Sequence, residues 1–147
     1  ELYKCKVGHS NIKKMMRDVD ADFGGEHSAH FYYRDNFYAD SAILTLLIFM
    51  KMLSENKNKI SSVIDNYNFP PSSGEVNFAV EDIDSAINKI ESIFEGEFDK
   101  TDGLSCLHSD FWFNVRGSNT ETKLRINVEA DTQEILEQVL EKISISI

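Results

Sequence analysis

The stretch "KLRINVEADTQEILEQVLEKI", residues 123–143, describes one strand followed directly by one helix. Its first eight residues alternate between apolar and polar side chains, as in a strand with one buried face. The spacing then becomes helical, and Asp131 or Thr132 is placed to cap the helix. A half-buried strand next to an amphipathic helix predicts a sheet with helices packed on one of its faces.

The preceding residues continue this pattern. Residues 75–80, "EVNFAV", alternate as a strand, and residues 82–96 place apolar side chains along one side of a helix. Residues 103–108 and 110–115 are two further strands that meet at a turn. The order β-α-β-β-β-α predicts an α+β domain with a mainly antiparallel four-stranded sheet and two helices on one face.

A domain boundary is predicted in "NFPPSSGE", residues 68–75. Both prolines of the chain lie here, and Ser-Ser-Gly follows them. Such a cluster of turn-forming residues is typical of a linker. We therefore expect one domain over residues 1–70 and a second over residues 73–147.

The first half predicts a less regular unit. Residues 9–20 have helical spacing, with Ser10 or Asn11 as the N-cap. An aromatic-rich strand follows from His30, and residues 39–55 form a helix that Asp40 can cap. That helix is apolar nearly all round, so we expect it to be buried on several sides.

Composition excludes several classes of protein. The 147 residues carry a net charge of -10, which argues against binding to duplex nucleic acid. The longest apolar run falls far short of the roughly 20 residues that a membrane span needs, so no membrane partner is expected.

The cysteines and the first residue indicate where the chain belongs. Cys5 and Cys106 match no metal-binding spacing, which favours a reducing, cytoplasmic location. The chain begins with Glu1 as though in the middle of an element, and we expect it to be part of a longer polypeptide.

A first candidate site lies in "GGEHSAH", residues 24–30. In an extended stretch Glu26, Ser28 and His30 would point the same way. A carboxylate, a hydroxyl and an imidazole together suit a sugar, whose neighbouring hydroxyls both donate and accept hydrogen bonds. A polar turn explains the same residues, and so, less completely, does a zinc site built on His27 and His30.

A second candidate is "KVGHSNIKK", residues 6–14. His9 lies at the start of a helix, where free N–H groups and the helix dipole favour an anion. Lys13 and Lys14 add positive charge nearby. An ordinary helix cap with a solvated basic face is the alternative interpretation.

A third candidate is the loop within "VRGSNTETKLRINVEA", residues 115–130. Arg116 can hold a phosphate through two parallel hydrogen bonds, and Gly117 permits a conformation in which N–H groups converge on an anion. Ser118, Asn119 and Thr120 supply further donors. A polar hairpin loop accounts for the same residues, although six residues is long for such a loop.

The three stretches together resemble the motifs of the α-D-phosphohexomutases, the family of phosphomannomutase and phosphoglucomutase. Those motifs read roughly G-H-S-x-I-K, G-E-x-S-G-H and R-x-S-N-T-E-P, and here they occur in that order between residues 6 and 143. The resemblance implies that residues 1–70 are the C-terminal part of an α/β third domain. It also implies that residues 73–147 are the fourth, phosphate-binding domain.

The resemblance implies a reaction and a set of roles. The family interconverts hexose 6-phosphate and hexose 1-phosphate through a hexose 1,6-bisphosphate. The matching residues here fall into three groups: sugar binding by Glu26 and Ser28, proton transfer or positioning by His9 and His30, and phosphate binding by Arg116, Gly117, Ser118, Asn119 and Thr120.

Two parts of the family's machinery have no counterpart in this sequence. Neither the loop with the phosphorylated serine nor the Asp-rich loop that holds Mg²⁺ is found, and "DVDAD", residues 18–22, lacks the required context. We therefore expect an inactive fragment whose partners are a phosphorylated hexose and the missing N-terminal domains, within a cytoplasmic Mg²⁺-dependent isomerase. A non-catalytic phosphosugar-binding or regulatory module is the alternative, and a purely structural domain is a third.

Four positions depart from the family pattern. Thr122 replaces the proline after N-T-E, and Lys123 stands where an apolar residue is usual. Ala29 replaces a common glycine, and His27 a common methionine. Neither Ala29 nor His27 removes a ligand group, but both leave the preferred hexose open. Thr122 and Lys123 leave open how the phosphate loop closes, either through greater mobility or through an added charge at Lys123.

Overall fold

The computed structural model describes residues 1–55, 60–64, 67–118 and 122–147. These residues form two compact units, Glu1–Asn68 and Phe69–Ile147, called unit 1 and unit 2 below. No helix in the described residues is both long enough and apolar enough to cross a membrane.

Unit 1 combines helices with a small antiparallel sheet of strand order β1-β2-β3. A short 3-10 turn, Arg34–Asn36, connects its second and third strands. The elements in chain order are α1 (His9–Asp18), β1 (Phe23–Gly25), β2 (Phe31–Tyr33), β3 (Ala39–Asp40), α2 (Ala42–Glu55) and α3 (Ile60–Ile64).

The start of α1 differs from the sequence prediction. Gly8 occupies the N-cap position with φ 115°, and no side chain caps the helix. Ser10 lies inside the first turn, and the Asn11 side chain instead donates to the Val7 carbonyl. The prediction failed because glycine adopts positive φ readily, so the backbone at Gly8 starts the helix without a capping side chain.

Helix α2 is not buried, contrary to expectation. Ile43 is 74% exposed and Leu47 58% exposed, and no described residue of α2 is buried. An apolar helix is buried only where another element covers it, and the three short strands of unit 1 do not cover this one. Its cap was also predicted wrongly, since the Ser41 hydroxyl accepts from the Leu44 N–H while Asp40 belongs to β3.

Unit 2 is a five-stranded antiparallel sheet of order β4-β8-β7-β6-β5 with two helices. Its strands are β4 (Val76–Ala79), β5 (Glu97–Asp99), β6 (Leu104–Leu107), β7 (Phe111–Gly117) and β8 (Lys123–Ala130). Its helices are α4 (Ile83–Ile93) and α5 (Gln133–Ser146), and Asp82 and Thr132 cap them through their side chains.

The α+β class is confirmed, and the sheet has one strand more than predicted. The extra strand, β5, is only three residues long, too short for its sequence to display an alternating pattern. Both helices pack on one face, because their buried residues share a single core with alternate residues of β7 and β8. The opposite face of the sheet carries the polar residues of those strands, among them Arg116 and Arg125.

Candidate functional site

A tight turn, rather than an extended strand, brings the polar residues of "GGEHSAH" together. The Glu26 N–H donates to the His30 carbonyl, and the Ala29 N–H donates to the Glu26 carbonyl. The Ser28 hydroxyl lies 2.8 Å from His30 Nδ1, and that nitrogen lies 3.4 Å from a carboxylate oxygen of Glu26. The carboxylate, the hydroxyl and the imidazole therefore form one cluster, although side-chain alternation was not its cause.

Tyr32 holds the carboxylate of this cluster in place. Its ring is fully buried, and its hydroxyl donates to Glu26 Oε1 at 2.9 Å. Burial, together with the hydrogen bond to Glu26, raises the pKa of Tyr32 above its ordinary value. The phenol consequently stays protonated, and Glu26 keeps its charge-assisted hydrogen bond.

His9 joins the same cluster from the start of α1. Its ring centroid lies 5.3 Å from that of His30 in an edge-on arrangement, and its Nδ1 lies 3.2 Å from Asp40 Oδ1. Partial burial works against the charge of Asp40, but a backbone hydrogen bond and the neighbouring His9 outweigh it, so the pKa of Asp40 is lowered. An ionised Asp40 can only accept a hydrogen bond, so it favours the tautomer in which Nδ1 of His9 carries the proton and leaves Nε2 for another partner.

The donor atoms in this cluster do not fit Mg²⁺. In the described part of the chain, the one group of three donor residues close enough to share an ion is His9, His30 and Asp40, with donor atoms within 4.8 Å of one another. Mg²⁺ favours six oxygen ligands, whereas this group offers two imidazoles and one carboxylate. The alternative of a zinc site on His27 and His30 is not supported either, since His27 is not in the group.

The third candidate stretch lies in unit 2. Arg116 is near the end of β7, and its guanidinium lies 3.6 Å from a carboxylate oxygen of Glu75. The Ser118 N–H donates to the Lys123 carbonyl at 2.8 Å and so connects the two strands just beyond Gly117. Asn119 and Thr120 lie outside the described residues.

The contacts of Gly117 reveal a packing role that the sequence did not predict. It is the last residue of β7, and its φ is not in the positive range. A Cβ at this position would lie 2.9 Å from Cγ2 of Ile83, so the glycine makes room for the first residue of α4. The absence of a side chain serves packing here rather than a special backbone conformation.

Sequence reasoning missed three residues that shape these clusters. Asp40 was taken for a helix cap, although the adjacent Ser41 was an equally good cap and left Asp40 available. Tyr32 was counted only as part of an aromatic strand, and Glu75 only as the residue where a linker meets a strand. Asp40 and Glu75 act on residues distant in sequence, and Tyr32 reaches Glu26 only because a turn and a strand pairing bring them together, so a local pattern does not reveal these contacts.

Fold and clusters together define a class of protein. It is an α+β protein in which one unit carries groups able to bind hydroxyls and the other carries a cation able to bind an anion.

Comparison with known proteins narrows this class to one family. A family model described as "Phosphoglucomutase/phosphomannomutase, alpha/beta/alpha domain III" matches residues 1–68, and "Phosphoglucomutase/phosphomannomutase, C-terminal domain" matches residues 75–146.

Curated relatives agree with these matches. The chain is 39% identical over 141 residues to a phosphomannomutase of Methanocaldococcus jannaschii, which covers 95% of this chain and 31% of that protein. It is 40% identical over 129 residues to a phosphomannomutase of Escherichia coli K12, covering 85% of this chain and 28% of that protein. The chain thus spans about a third of the length of these relatives.

A solved structure shares the fold. The crystal structure of a phosphoglucomutase/phosphomannomutase family protein from Burkholderia thailandensis superposes with a TM-score of 0.80 at 24% identity. The match covers 97% of this chain and 31% of that one. The chain belongs to the phosphoglucomutase/phosphomannomutase family.

Proposed function

We propose that this chain is the sugar- and phosphate-recognition part of a phosphohexomutase that interconverts hexose 6-phosphate and hexose 1-phosphate. The observation that carries the proposal is the cluster in unit 1, where Glu26, Ser28 and His30 lie within hydrogen-bonding or ion-pairing distance and His9 lies beside them. These groups suit a polyhydroxylated ligand, because they offer both donors and acceptors. The relatives named phosphomannomutase point to the same ligand class.

In this proposal the residues divide between two tasks. Glu26 and Ser28 bind sugar hydroxyls, and His9 and His30 position the reacting hydroxyl or exchange its proton. The phosphate that is not transferred is bound in unit 2 by Arg116 and Gly117 to Thr120. We assign residues 1–70 to the family's third domain and residues 73–147 to its fourth on the same basis.

The chemistry requires a phosphoryl donor outside these residues. When the sugar hydroxyl attacks, its oxygen forms a new bond to phosphorus, the bond from phosphorus to the donor oxygen breaks, and the hydroxyl proton passes to a base such as His30. Mg²⁺ would serve this step from another part of the polypeptide, since its preferred ligands are not gathered in the described residues. We therefore propose that the 147 residues bind substrate but do not turn it over, and that the complete enzyme is cytoplasmic and uses a hexose 1,6-bisphosphate.

The direct test is a binding titration of the 147-residue chain. Mannose 1-phosphate and glucose 1-phosphate are added in separate titrations while amide chemical shifts are followed by NMR. We expect shifts at the Glu26–His30 turn and around Arg116. Arg116→Ala should weaken binding about 10-fold or more, the range of a lost charge-assisted pair of hydrogen bonds.

Two controls separate recognition from non-specific effects. Unphosphorylated mannose should leave the Arg116 region unchanged, and Arg17→Ala, which removes a cation from α1, should bind like the wild type. Equal weak binding by the wild type and Arg116→Ala would contradict the assigned phosphate site.

The gene upstream of Glu1 tests the alternative function. Absence of a serine phosphorylation loop and an Asp-rich metal loop from that region would favour a non-catalytic binding module.

A further inference from the structure

Two arginines stand directly opposite each other on neighbouring strands of unit 2. Arg116 of β7 pairs in register with Arg125 of β8. Their neighbours Val115 and Ile126 are buried on the helix-covered face, so both guanidinium groups emerge on the open face of the sheet. Like charges in this relation repel each other, and a sheet normally avoids them.

Glu75 is placed between the two arginines. Its Oε2 lies 3.6 Å from a guanidinium nitrogen of Arg116, and its Oε1 lies 3.8 Å from Nε of Arg125. Glu75 directly precedes β4, which pairs with β8, so the sheet register brings it there. One carboxylate thus uses a different oxygen to offset each of two adjacent positive charges.

The contacts that Glu75 makes are weak enough to be exchanged. Both distances exceed those of a hydrogen bond, so they represent charge attraction without fixed geometry. All three side chains are partly exposed, between 25% and 38%, and an ion pair in such a setting contributes only about 0.2–1 kcal/mol. A phosphate carries more charge than a carboxylate and can form parallel hydrogen bonds with a guanidinium, so it competes well for the same position.

We propose that Arg125 is a second guanidinium of the phosphate site and that Glu75 occupies this site until a phosphate displaces it. The inference rests on the proposed function, since it assumes that Arg116 binds the ligand's phosphate. It adds a binding residue at Arg125 and a competing internal anion at Glu75. In a chain of net charge -10, this competition selects for ligands that bring two negative charges.

The test is a titration of the 147-residue chain with inorganic phosphate at low ionic strength, with the arginine Nε–Hε NMR signals followed. Glu75→Gln keeps the shape of the side chain and removes its charge, so phosphate should bind about twofold to fivefold more tightly. Glu129→Gln is the matched control, because Glu129 lies further along β8 on the same face and its loss changes the net charge equally. We expect this control to bind like the wild type.

Arg125 is tested in the same titration. Arg125→Ala should weaken phosphate binding about fivefold or more, and the gain from Glu75→Gln should shrink when both changes are combined. Arg125→Lys keeps a charge without the planar fork, so it should fall between the wild type and Arg125→Ala. Hydrogen-exchange protection of the β7 and β8 amides verifies that each variant is folded.

The outcomes separate this inference from the proposed function. Loss of binding in Arg116→Ala with unchanged binding in both Arg125→Ala and Glu75→Gln overturns the inference and leaves the phosphate role of Arg116 intact. Weaker binding in Glu75→Gln also overturns it, because Glu75 would then support the site rather than compete for it. If phosphate shifts the Arg116 signal in no variant, the inference and the assigned phosphate site both fail.

Discussion

The two units differ in how far each covers its own apolar residues. Among the described residues, the core of unit 2 has fourteen buried hydrophobic residues, whereas that of unit 1 has three, Ile12, Met16 and Tyr32. In unit 1, α2 instead presents isoleucine, leucine, phenylalanine and methionine side chains to solvent. The comparison shows that similar amphipathic or apolar patterns give a closed core only where the topology brings a second layer against them.

The largest expected contrast comes from deleting one apolar side chain in each unit. Phe113→Ala removes a fully buried ring from unit 2 and should lower the free energy of unfolding by about 3–5 kcal/mol. Leu47→Ala in exposed α2 should change stability by no more than about 0.5 kcal/mol. Urea denaturation followed by Trp112 fluorescence measures the stability of unit 2, and amide hydrogen exchange measures the stability of α2. A cost at Leu47 comparable to that at Phe113 would mean that unit 1 buries α2 in solution.

The cysteines provide a second contrast, since each unit has one and neither forms a disulfide. Cys106 is fully buried, and burial raises the pKa of its thiol, whereas Cys5 is partly exposed. We expect Cys5 to react with a thiol reagent at neutral pH about 100-fold faster or more, because Cys106 reacts only after unit 2 opens.

The reactivity of Cys106 should increase with pH for a reason that does not apply to Cys5. A raised thiol pKa means that the stability contributed by neutral Cys106 is present below the unfolded-chain pKa of about 8.5 and is lost as the pH rises through the higher folded-state pKa. Cys106 labelling should therefore accelerate at high pH beyond the increase expected from thiolate formation alone. Cys106→Ala serves as the control, and equal rates at Cys5 and Cys106 at neutral pH would show that unit 2 opens readily.

A third prediction concerns Asp40 and the state of His9. Asp40→Asn replaces the anionic acceptor that faces His9 Nδ1 with a neutral amide, so the preference for the Nδ1–H tautomer should weaken and the ring should shift towards the Nε2–H tautomer. Long-range ¹H–¹⁵N NMR of the imidazole measures this directly. Asp18→Asn, at an exposed pair with Lys14, is the control and should leave His9 unchanged.

Asp40 should also contribute to acid sensitivity. Because its folded-state pKa is lowered, its contribution to stability is present above the unfolded-chain value of about 3.9 and is lost as the pH falls through the folded-state value. In Asp40→Asn, the free energy of unfolding of unit 1 should therefore decrease less as the pH is lowered. If Asp40→Asn leaves both the His9 tautomer and the loss of stability at acidic pH unchanged, Asp40 does not interact with His9.

The last prediction is a small gain in stability at Ala29. This residue has φ 63°, a left-handed conformation that disfavours a side chain by about 1–2 kcal/mol. Ala29→Gly relieves that strain but gives the unfolded chain more freedom, so we expect a net gain of about 0.5–1 kcal/mol. Gly25→Ala, in β1 of the same unit, is the opposite control, since a Cβ there would lie 3.2 Å from the Phe31 ring. Destabilisation by Ala29→Gly would mean that the turn is not strained in solution.

Much of unit 2 could be read from the sequence, and much less of unit 1. The alternation in residues 123–130 and the helical spacing after Thr132 are local properties, and the structure reproduces both as β8 and α5. The three-residue strand β5 carried no such signal. In unit 1 the sequence indicated α2 correctly but not its exposure, because exposure depends on what lies against a helix rather than on its own pattern.

The candidate site likewise has one part that the sequence predicted and one part that it did not. The sequence by itself determined which chemical groups are available, since Glu26, Ser28 and His30 lie within five positions and Arg116 stands at a strand end. The tertiary structure alone decided their partners: Tyr32 on Glu26, Asp40 on His9, and Glu75 between Arg116 and Arg125. The physical reason is that the type of a residue fixes its charge and its hydrogen-bonding capacity, whereas strand register and turn geometry fix which distant residue comes within reach.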